Sequence, residues 1–395
     1  MITQQDLAKA LHLSEVKRDE LEALLFDHFH GASENGANEV FYPTVRAACS
    51  VELKYSEDGG LQALAGQSLS PEEMQSLRLR VEMELLATGP RIVARRVLFS
   101  TKPLDGYFSY TDRFQILPVP LHAPRARFLM AEHPFLLEAA FNSSPNDTIT
   151  RIRGAMTLRE LELVLNTFLL TGTRSQEAFR YHWVLLPRAE GDDFKSDYLT
   201  AGYYYPGLME SRDFTTTVTI PRLKEVDHRA YFEIQTIVMG QPFEVPSTLA
   251  DLFTRFFDLT ADDRETFLRA CHWFQVSSLV HRQSRSASFI SLVSAVEALL
   301  PPSDWRGRVT RRFIQLVERF SSGTGNLLES RRRFYQLRSS LTHGRFLLPS
   351  DRNPWAVGLN PEMSREWGDL SGMQKIVRLV LVNWLLSRTT GSSPK

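Results

Sequence analysis

The chain has 395 residues, 43% hydrophobic and 23% charged, which is long enough for two or three domains and typical of a folded globular protein. Its formal net charge is zero, which argues against a protein that coats nucleic acid with its whole surface. The charge is uneven, because residues 301–352 contain eleven arginines and four acids, a local excess of seven positive charges. We therefore expect an anionic partner at that segment.

The cysteines and the apolar runs exclude several classes of protein. Cys49 and Cys271 lie far apart and form no C-x-x-C pair, so neither a structural zinc site nor a disulfide framework is expected. The first 29 residues contain acids throughout and lack the apolar core of a signal peptide. The most apolar run, 376–386, is shorter than the roughly 18 residues of a membrane span. These features predict a cytoplasmic protein with no membrane partner, no metal and no cofactor.

The first 245 residues mix helix and strand signals and predict an α+β region. Ser70 followed by Pro71 marks a helix start, since serine caps a helix and proline fits its first turn. That helix is expected to stop at Gly89-Pro90, and 58–60 is expected to form a hairpin turn. The other predicted elements are helices at 3–29 and 159–170 and strands at 92–99, 107–117, 180–186, 199–205, 214–220 and 231–239. The region allows two subdomains, with a boundary near 90–150.

After residue 245 the strand signals vanish, and residues 246–395 predict a helical domain. Apolar residues recur at helical spacing from Phe289 to Leu300, before Pro301-Pro302 ends the run. The predicted helices are 249–257, 262–283, 286–300, 307–320, 327–343 and 370–388. The segment 346–367 contains three prolines and predicts a long loop.

The most informative stretch of the helical region is 335–344, which reads YQLRSSLTHG. Arg338 is a fixed cation that suits a phosphate, and His343 can give or take a proton near neutral pH. At about 100° per residue they lie about 140° apart, so one helix does not bring them together. Two such helices across a two-fold axis would supply one of each residue to a shared cleft. Both residue types are common at helix C-termini because of the helix dipole, so the pair alone is weak evidence.

Further residues are candidates for the same site. Glu297 lies at the edge of an apolar helix face, where it either pairs with Arg338 or is an exposed acid. Arginines at the start of two helices either follow an RNA backbone or form a solvated face with acidic helical partners. They are Arg308, Arg311, Arg312, Arg331, Arg332 and Arg333, with Arg345 directly after the motif.

Three pieces of residues 250–390 occur in the order found in a HEPN domain (higher eukaryotes and prokaryotes nucleotide-binding). Residues 288–300 resemble the second helix of that family, with its apolar-Glu-Ala-Leu ending. Residues 308–320 resemble the third helix, and 335–344 resembles the R-x4-6-H signature. The chain is most similar to the ApeA-like HEPN family, over a little more than a third of its length. Ser339 departs from the Asn, Asp or His that many active members carry, although a serine still donates a hydrogen bond to a phosphate.

The resemblance implies an all-α bundle that dimerises and acts as a metal-independent endoribonuclease. Arg338 would hold the scissile phosphate, supported by Ser339 and Glu297, and His343 would transfer a proton while the ribose 2′-OH attacks the phosphorus. Family members often act as toxins in antiviral or antiphage defence, including abortive infection. The implied partners are therefore RNA such as tRNA, a second copy or a higher homo-oligomer, and an unknown trigger sensed by residues 1–245. The alternative is a non-catalytic HEPN module that dimerises or binds RNA or nucleotides.

Overall fold

The structure is a computed structural model of the 395-residue chain. It describes residues 16–29, 32–35, 38–41, 50–55, 61–67, 69–119, 133–175, 183–190, 193–200, 213–234, 243–281, 283–301, 309–321, 328–344, 346–352 and 361–388. This part of the chain mixes helices with mainly antiparallel sheets, as expected for an α+β protein. Among these residues, no helix is long and apolar enough to cross a membrane.

The helices and strands are numbered in chain order. The helices are α1 (Arg18–Phe29), α2 (Pro71–Arg80), α3 (Asp147–Phe168), α4 (Leu249–Phe257), α5 (Ala261–Val280), α6 (Arg285–Glu297), α7 (Val309–Phe320), α8 (Leu328–Thr342), α9 (Pro349–Arg352) and α10 (Pro361–Leu386), with π-helical turns at Val81–Leu86 and Ala230–Ile234. The strands are β1 (Ala32–Asn35), β2 (Asn38–Phe41), β3 (Ser50–Tyr55), β4 (Leu61–Gln67), β5 (Arg91–Ser100), β6 (Phe108–Tyr110), β7 (Phe114–Pro118), β8 (His133–Asn142), β9 (Arg174–Ser175), β10 (Trp183–Glu190), β11 (Asp193–Thr200), β12 (Lys224–Val226) and β13 (Glu244–Pro246).

The described strands form four sheets. One has the order β1-β2-β3-β4 and another the order β6-β7-β8-β5-β9, while β10 pairs with β11 and β12 with β13. The β12–β13 pair is parallel, and its Lys224 and Glu244 side chains form an ion pair of 2.6 Å. The antiparallel pairing of β3 with β4 confirms the predicted hairpin, although its turn at 58–60 lies outside the described residues.

The chain divides into two compact units, and the division does not fall at residue 245. The first unit consists of Met1–Ala94, Ala139–Leu158 and Met209–Phe214, and the second of Arg95–Glu138, Arg159–Leu208 and Thr215–Lys395. What changes near 245 is the secondary structure, since every described element after β13 is a helix. The predicted boundary at 245 thus separates a region of mixed helices and strands, 1–245, from a helical region, 246–395. It does not separate the two units, because the second unit also includes strands from the first half of the chain.

The first unit has a core built on α1 and α2. Ser70 starts α2 as predicted, since its Oγ accepts a hydrogen bond from the Glu73 N–H at 3.1 Å and its own N–H donates to Glu73 Oε2 at 2.7 Å. The apolar side chains of α1, within the helix predicted at 3–29, are buried in this core. The core residues are Leu21, Leu24, Leu25, Phe29, Val51, Leu53, Leu77, Val81, Leu85 and Ile149.

Three predicted strands are wrong in whole or in part. Residues 214–220 form no strand, because the Thr215 N–H and hydroxyl both donate to the buried Glu138 carboxylate, at 2.8 and 2.5 Å. The predicted strand 231–239 begins as a π-helical turn, and 235–239 lie outside the described part. The predicted strand 107–117 is two strands, β6 and β7, joined by a turn in which Thr111 has a φ of 47°.

Helix positions follow the prediction closely between residues 249 and 342, but two helices begin earlier than expected. The helix predicted at 159–170 begins at Asp147, and the one predicted at 370–388 begins at Pro361. The predicted loop 346–367 therefore contains α9 and the first turns of α10. Pro349 and Pro361 are the first residues of these helices, a position where the missing N–H of proline leaves no helical bond unmade.

In the second unit, aromatic rings and one buried acid join the strands β7 and β9 to the helices α3, α4 and α5. Phe253 of α4 lies 4.5 Å from the ring of Phe114 on β7 and 5.3 Å from that of Phe168 on α3. Glu162 of α3 is fully buried and accepts hydrogen bonds from the Ser175 N–H of β9 at 3.1 Å and from Gln275 Nε2 of α5 at 2.8 Å. These contacts position α5, which packs closely on α6.

The helix α6 is central to the helical part of the second unit. It packs against α5, α7, α8, α9 and α10. Its apolar side chains Phe289, Leu292, Val293 and Val296 are fully buried, as the helical spacing predicts. The C-terminal end of α6 therefore reaches the middle of α8, where Glu297 meets the predicted motif.

Candidate functional site

The helix α8 ends in the way that its sequence predicts. The His343 N–H donates to the Ser339 carbonyl at 3.2 Å, so the helical bonding extends one residue beyond Thr342. Gly344 then adopts a φ of 66°, and its N–H donates to the Leu341 carbonyl at 3.1 Å. Glycine suits this left-handed position because it has no Cβ. The imidazole of His343 is exposed beside this cap.

Arg338 forms an ion pair with Glu297, which links α8 to the end of α6. Its Nη2 lies 3.3 Å from Glu297 Oε2, and the two side chains are 26% and 13% exposed. The Arg338 guanidinium carbon also lies 5.8 Å from the ring centroid of Tyr335 one turn earlier. Glu297 was expected either to pair with Arg338 or to be an exposed acid, and the structure shows the pair.

The carboxylate of Glu297 is mostly buried, which disfavours its ionised form. Burial raises its pKa, and the neighbouring Arg338 charge and hydrogen bond only partly oppose that rise. Its second oxygen, Oε1, is buried and has no hydrogen-bond partner among the described residues. A carboxylate in this state gains from any further donor that approaches it.

Arg338 and His343 lie on different faces of α8, as expected. Five residues at about 100° each place them about 140° apart. Arg338 lies on the α6 side with Glu297, whereas Gln336, Ser340 and His343 follow one another at i, i+4 and i+7 on another face. One chain therefore does not bring both side chains to one point. Ser339 is half-buried between these faces, and its carbonyl accepts the His343 N–H.

The predicted RNA-binding arginines are only partly described. Arg311 and Arg312 lie on the exposed face of α7, opposite the buried Phe313 and Val317. Arg331, Arg332 and Arg333 belong to the first turns of α8, but their side chains lie outside the described part, as do Arg308 and Arg345.

A cavity of about 390 Å³ lies beside α8 and was not anticipated from the sequence. Its walls come from α8, from the segment that includes α9, and from the start of α10. Leu337 is half-buried and lines this cavity, whereas Phe334 and Leu341 of the same helix are buried. The lining residues are Gln336, Leu337, Ser340, Phe346, Leu348, Pro349, Arg352, Glu362, Arg365, Glu366 and Asp369.

Asp351 fastens one wall of the cavity to the N-terminus of α6. Its carboxylate accepts hydrogen bonds from the Ser284 hydroxyl at 2.8 Å and from the N–H groups of Arg285 and Ser286 at 2.9 and 2.8 Å. Burial of Asp351 would raise its pKa, but these hydrogen bonds outweigh burial and lower it. The Leu348 N–H also donates to Ser286 Oγ at 2.9 Å.

Glu366 of α10 holds the same wall from the other side. It is buried, accepts the Ser350 N–H at 3.0 Å and the Ser350 hydroxyl, and pairs with Arg285 Nη1 at 3.0 Å. The one signal in the sequence for this arrangement is the pair of helix-starting prolines, Pro349 and Pro361. Recognising them as helix starts would have placed Asp351 and Glu366 on helices.

The remaining candidates add no second site. Among the described residues, no three His, Cys, Asp or Glu side chains are grouped as metal ligands would be. Cys271 is a free, buried thiol whose pKa burial raises to about 12, and Cys49 lies outside the described residues. Comparison of the chain with protein-family models, with curated proteins and with solved structures finds no match.

Proposed function

We propose that this chain is a metal-independent endoribonuclease of the HEPN type, which cleaves RNA at a cleft shared by two copies. The observation that carries the proposal is the Arg338–Glu297 pair at 3.3 Å on a helix that ends in an exposed, glycine-capped His343. The pair holds a guanidinium in one place, and the cap presents an imidazole to solvent. These are the two groups that a phosphodiester cleavage by the ribose 2′-OH requires.

Arg338 is assigned to the scissile phosphate. A guanidinium has five N–H donors in a planar fork, and the contact with Glu297 engages Nη2. We assign the rest of the fork to the phosphate oxygens, where it would neutralise the charge that grows in the transition state. Glu297 then acts as a positioning residue, because it fixes the direction of the fork and does not touch RNA.

His343 is assigned to proton transfer. In the proposed reaction the 2′-oxygen loses its proton to one imidazole and bonds to the phosphorus, and the bond from phosphorus to the 5′-oxygen breaks. A water molecule gives a proton to the leaving 5′-oxygen, so each cleft uses one arginine and one histidine. The products are a 2′,3′-cyclic phosphate and a 5′-hydroxyl, so RNA is cut and DNA, which lacks the 2′-OH, is not.

The angle of about 140° between Arg338 and His343 supports the proposed two-fold pairing. A second α8 across a two-fold axis would set the arginine of one copy beside the histidine of the other. The exposed arginines of α7, Arg311 and Arg312, are assigned to the RNA backbone near that cleft.

The proposal includes a cellular role. A ribonuclease that acts on tRNA or another cellular RNA harms its own cell, so residues 1–245 are proposed to restrain it until an infection supplies a trigger. The competing function is a non-catalytic dimerisation or RNA-binding module. The same ion pair favours it equally well if Arg338 and Glu297 serve only to join α6 to α8.

One cleavage assay distinguishes the ribonuclease from the non-catalytic module. Total RNA is incubated with purified protein in EDTA, using the wild type, Arg338→Ala and His343→Ala, and the 3′ ends are tested for cyclic phosphate. Arg269→Ala and His133→Ala are matched controls, because both side chains are exposed and lie away from α8. Catalysis predicts cleavage by the wild type and both controls and a loss of about 100-fold or more in the two site variants. Equal cleavage by all five proteins, or RNA binding without cleavage, would contradict it.

A further inference from the structure

The cavity beside α8 lies on the same face of the helix as His343. Gln336 and Ser340 line the cavity, and His343 follows them at i+7 with an angular spread of about 60°. Its backbone lies about 4.5 Å beyond Ser340 along the helix axis. The cavity is therefore about one helical turn from the imidazole, whereas Arg338 is on the α6 side.

The cavity wall offers an aromatic face next to a guanidinium. Phe346 is 37% exposed, although phenylalanine is usually buried, and its ring centroid lies 5.4 Å from the guanidinium carbon of Arg352. Aromatic rings and arginine planes are the surfaces on which unpaired nucleobases stack. The amide of Gln336 and the hydroxyl of Ser340 supply hydrogen-bonding groups of the kind that contact base edges.

The charges around the cavity suit a neutral base better than a phosphate. Two arginines and three acids line it, and Arg352 and Glu362 approach each other at 3.8 Å. A phosphate would meet the three carboxylates as well as the arginines, and like charge repels it. A base brings no net charge and has donors and acceptors for both kinds of group.

The cavity is formed before any ligand arrives. Asp351 ties the wall that carries Phe346 to the start of α6, and Glu366 ties the same wall to α10. A volume of about 390 Å³ falls within the range of small-ligand pockets, about 300–1,000 Å³. A preformed pocket does not have to be ordered on binding, which favours affinity.

We propose that this cavity binds a nucleobase of the RNA strand adjacent to the phosphodiester that is cut, with the base stacked on Phe346. The inference rests on the proposed ribonuclease function and deepens it. Because a pocket with fixed walls selects bases by size and edge, the cavity would make the enzyme prefer particular nucleotides beside the cut.

Binding is tested on full-length protein carrying His343→Ala, so that RNA stays intact. The probes are the four ribonucleoside monophosphates and trinucleotides that contain each base, titrated by calorimetry. We expect one base to bind best, a loss of about tenfold or more with Phe346→Ala, and recovery with Phe346→Trp, which keeps an aromatic face. Leu347→Ala is the matched control, because Leu347 is the next residue, is 48% exposed and does not line the cavity.

Specificity is tested separately by sequencing the ends produced from a random RNA pool. We expect Phe346→Ala to show a weaker nucleotide preference beside the cleaved bond, and Leu347→Ala to keep the wild-type preference. Equal losses in Phe346→Ala and Leu347→Ala, or no binding of any probe, would overturn the pocket. Binding through Phe346 with an unchanged cut-site preference would overturn its assignment to the RNA substrate. Binding through Phe346 in a wild-type protein that cuts no RNA would leave a base pocket and refute the proposed function instead.

Discussion

Arg338→Met and Glu297→Gln are expected to have unequal effects on stability, although both break the same ion pair. Arg338→Met leaves a carboxylate that is 13% exposed and whose Oε1 already has no partner among the described residues. Removing one partner of a fully buried pair costs about 3–5 kcal/mol, and an exposed pair contributes about 0–1 kcal/mol. Because Arg338 is 26% exposed, we expect the free energy of unfolding to fall by about 2 kcal/mol.

Glu297→Gln is expected to leave stability at neutral pH nearly unchanged or to raise it. Burial raises the pKa of Glu297 by more than Arg338 lowers it, so the ionised carboxylate loses more by desolvation than it gains from the pair. The native state therefore binds the proton more strongly than the unfolded state. The contribution of Glu297 to stability is full below the unfolded value of 4.5 and is lost as pH rises through the folded-state pKa. Glutamine has no such dependence.

Urea unfolding of the wild type, both single variants and the double variant measures these effects and their coupling. Arg338→Met should show its full deficit at neutral pH and a smaller one at pH 4.5, the unfolded value, because the raised pKa of Glu297 favours the uncharged carboxyl there. Arg269→Met is the matched control, since Arg269 forms an exposed pair with Glu265 on α5. A Glu297→Gln variant as unstable as Arg338→Met would refute the reasoning, because the carboxylate would then be a net stabilising group.

Three further predictions concern the structure around the site. Asp351→Asn should lower the free energy of unfolding by about 1–2 kcal/mol at neutral pH and by less below about pH 4. The reason is that the lowered pKa of Asp351 gives stability that is lost on acidification, and urea unfolding at the two pH values checks this. Gly344→Ala should lower the free energy of unfolding by about 1 kcal/mol, because alanine is strained at a φ of 66°, while its Cβ would meet nothing within 4 Å. Gly344→Asn should lower it by less, and thermal unfolding compares the two variants. Phe253→Ala should cost about 3–5 kcal/mol, because its ring is fully buried among other aromatic rings, and a urea midpoint equal to that of the wild type would contradict this packing.

Local signals in the sequence were sufficient for most helices of the second half. The apolar spacing in 286–300 predicts α6, and the glycine after His343 predicts the end of α8, because spacing and caps are properties of the segment itself. The angle of about 140° between Arg338 and His343 also follows from helical spacing. The pair of Arg338 with Glu297 was predicted only as one of two alternatives, since spacing leaves open which neighbouring helix comes close, and Glu297 is 41 residues away in the chain.

Interactions between distant residues explain what could not be predicted. Thr215 has strand-forming neighbours, but its backbone bonds to Glu138, 77 residues away. The cavity depends on Asp351 meeting the start of α6, 65 to 67 residues away. Local spacing in a single sequence does not identify such pairings. The prolines of 346–367 predict a loop, although Pro349 and Pro361 start helices in the structure.

A heterodimer that carries Arg338→Ala in one subunit and His343→Ala in the other tests the shared cleft most directly. With two affinity tags it can be purified away from both parent homodimers, each of which should be inactive on RNA. If the arginine of one copy works with the histidine of the other, one cleft of the heterodimer has lost both groups and the other has kept both. The heterodimer should then cleave RNA at roughly half the wild-type rate. A heterodimer as inactive as its two parents would contradict the shared cleft.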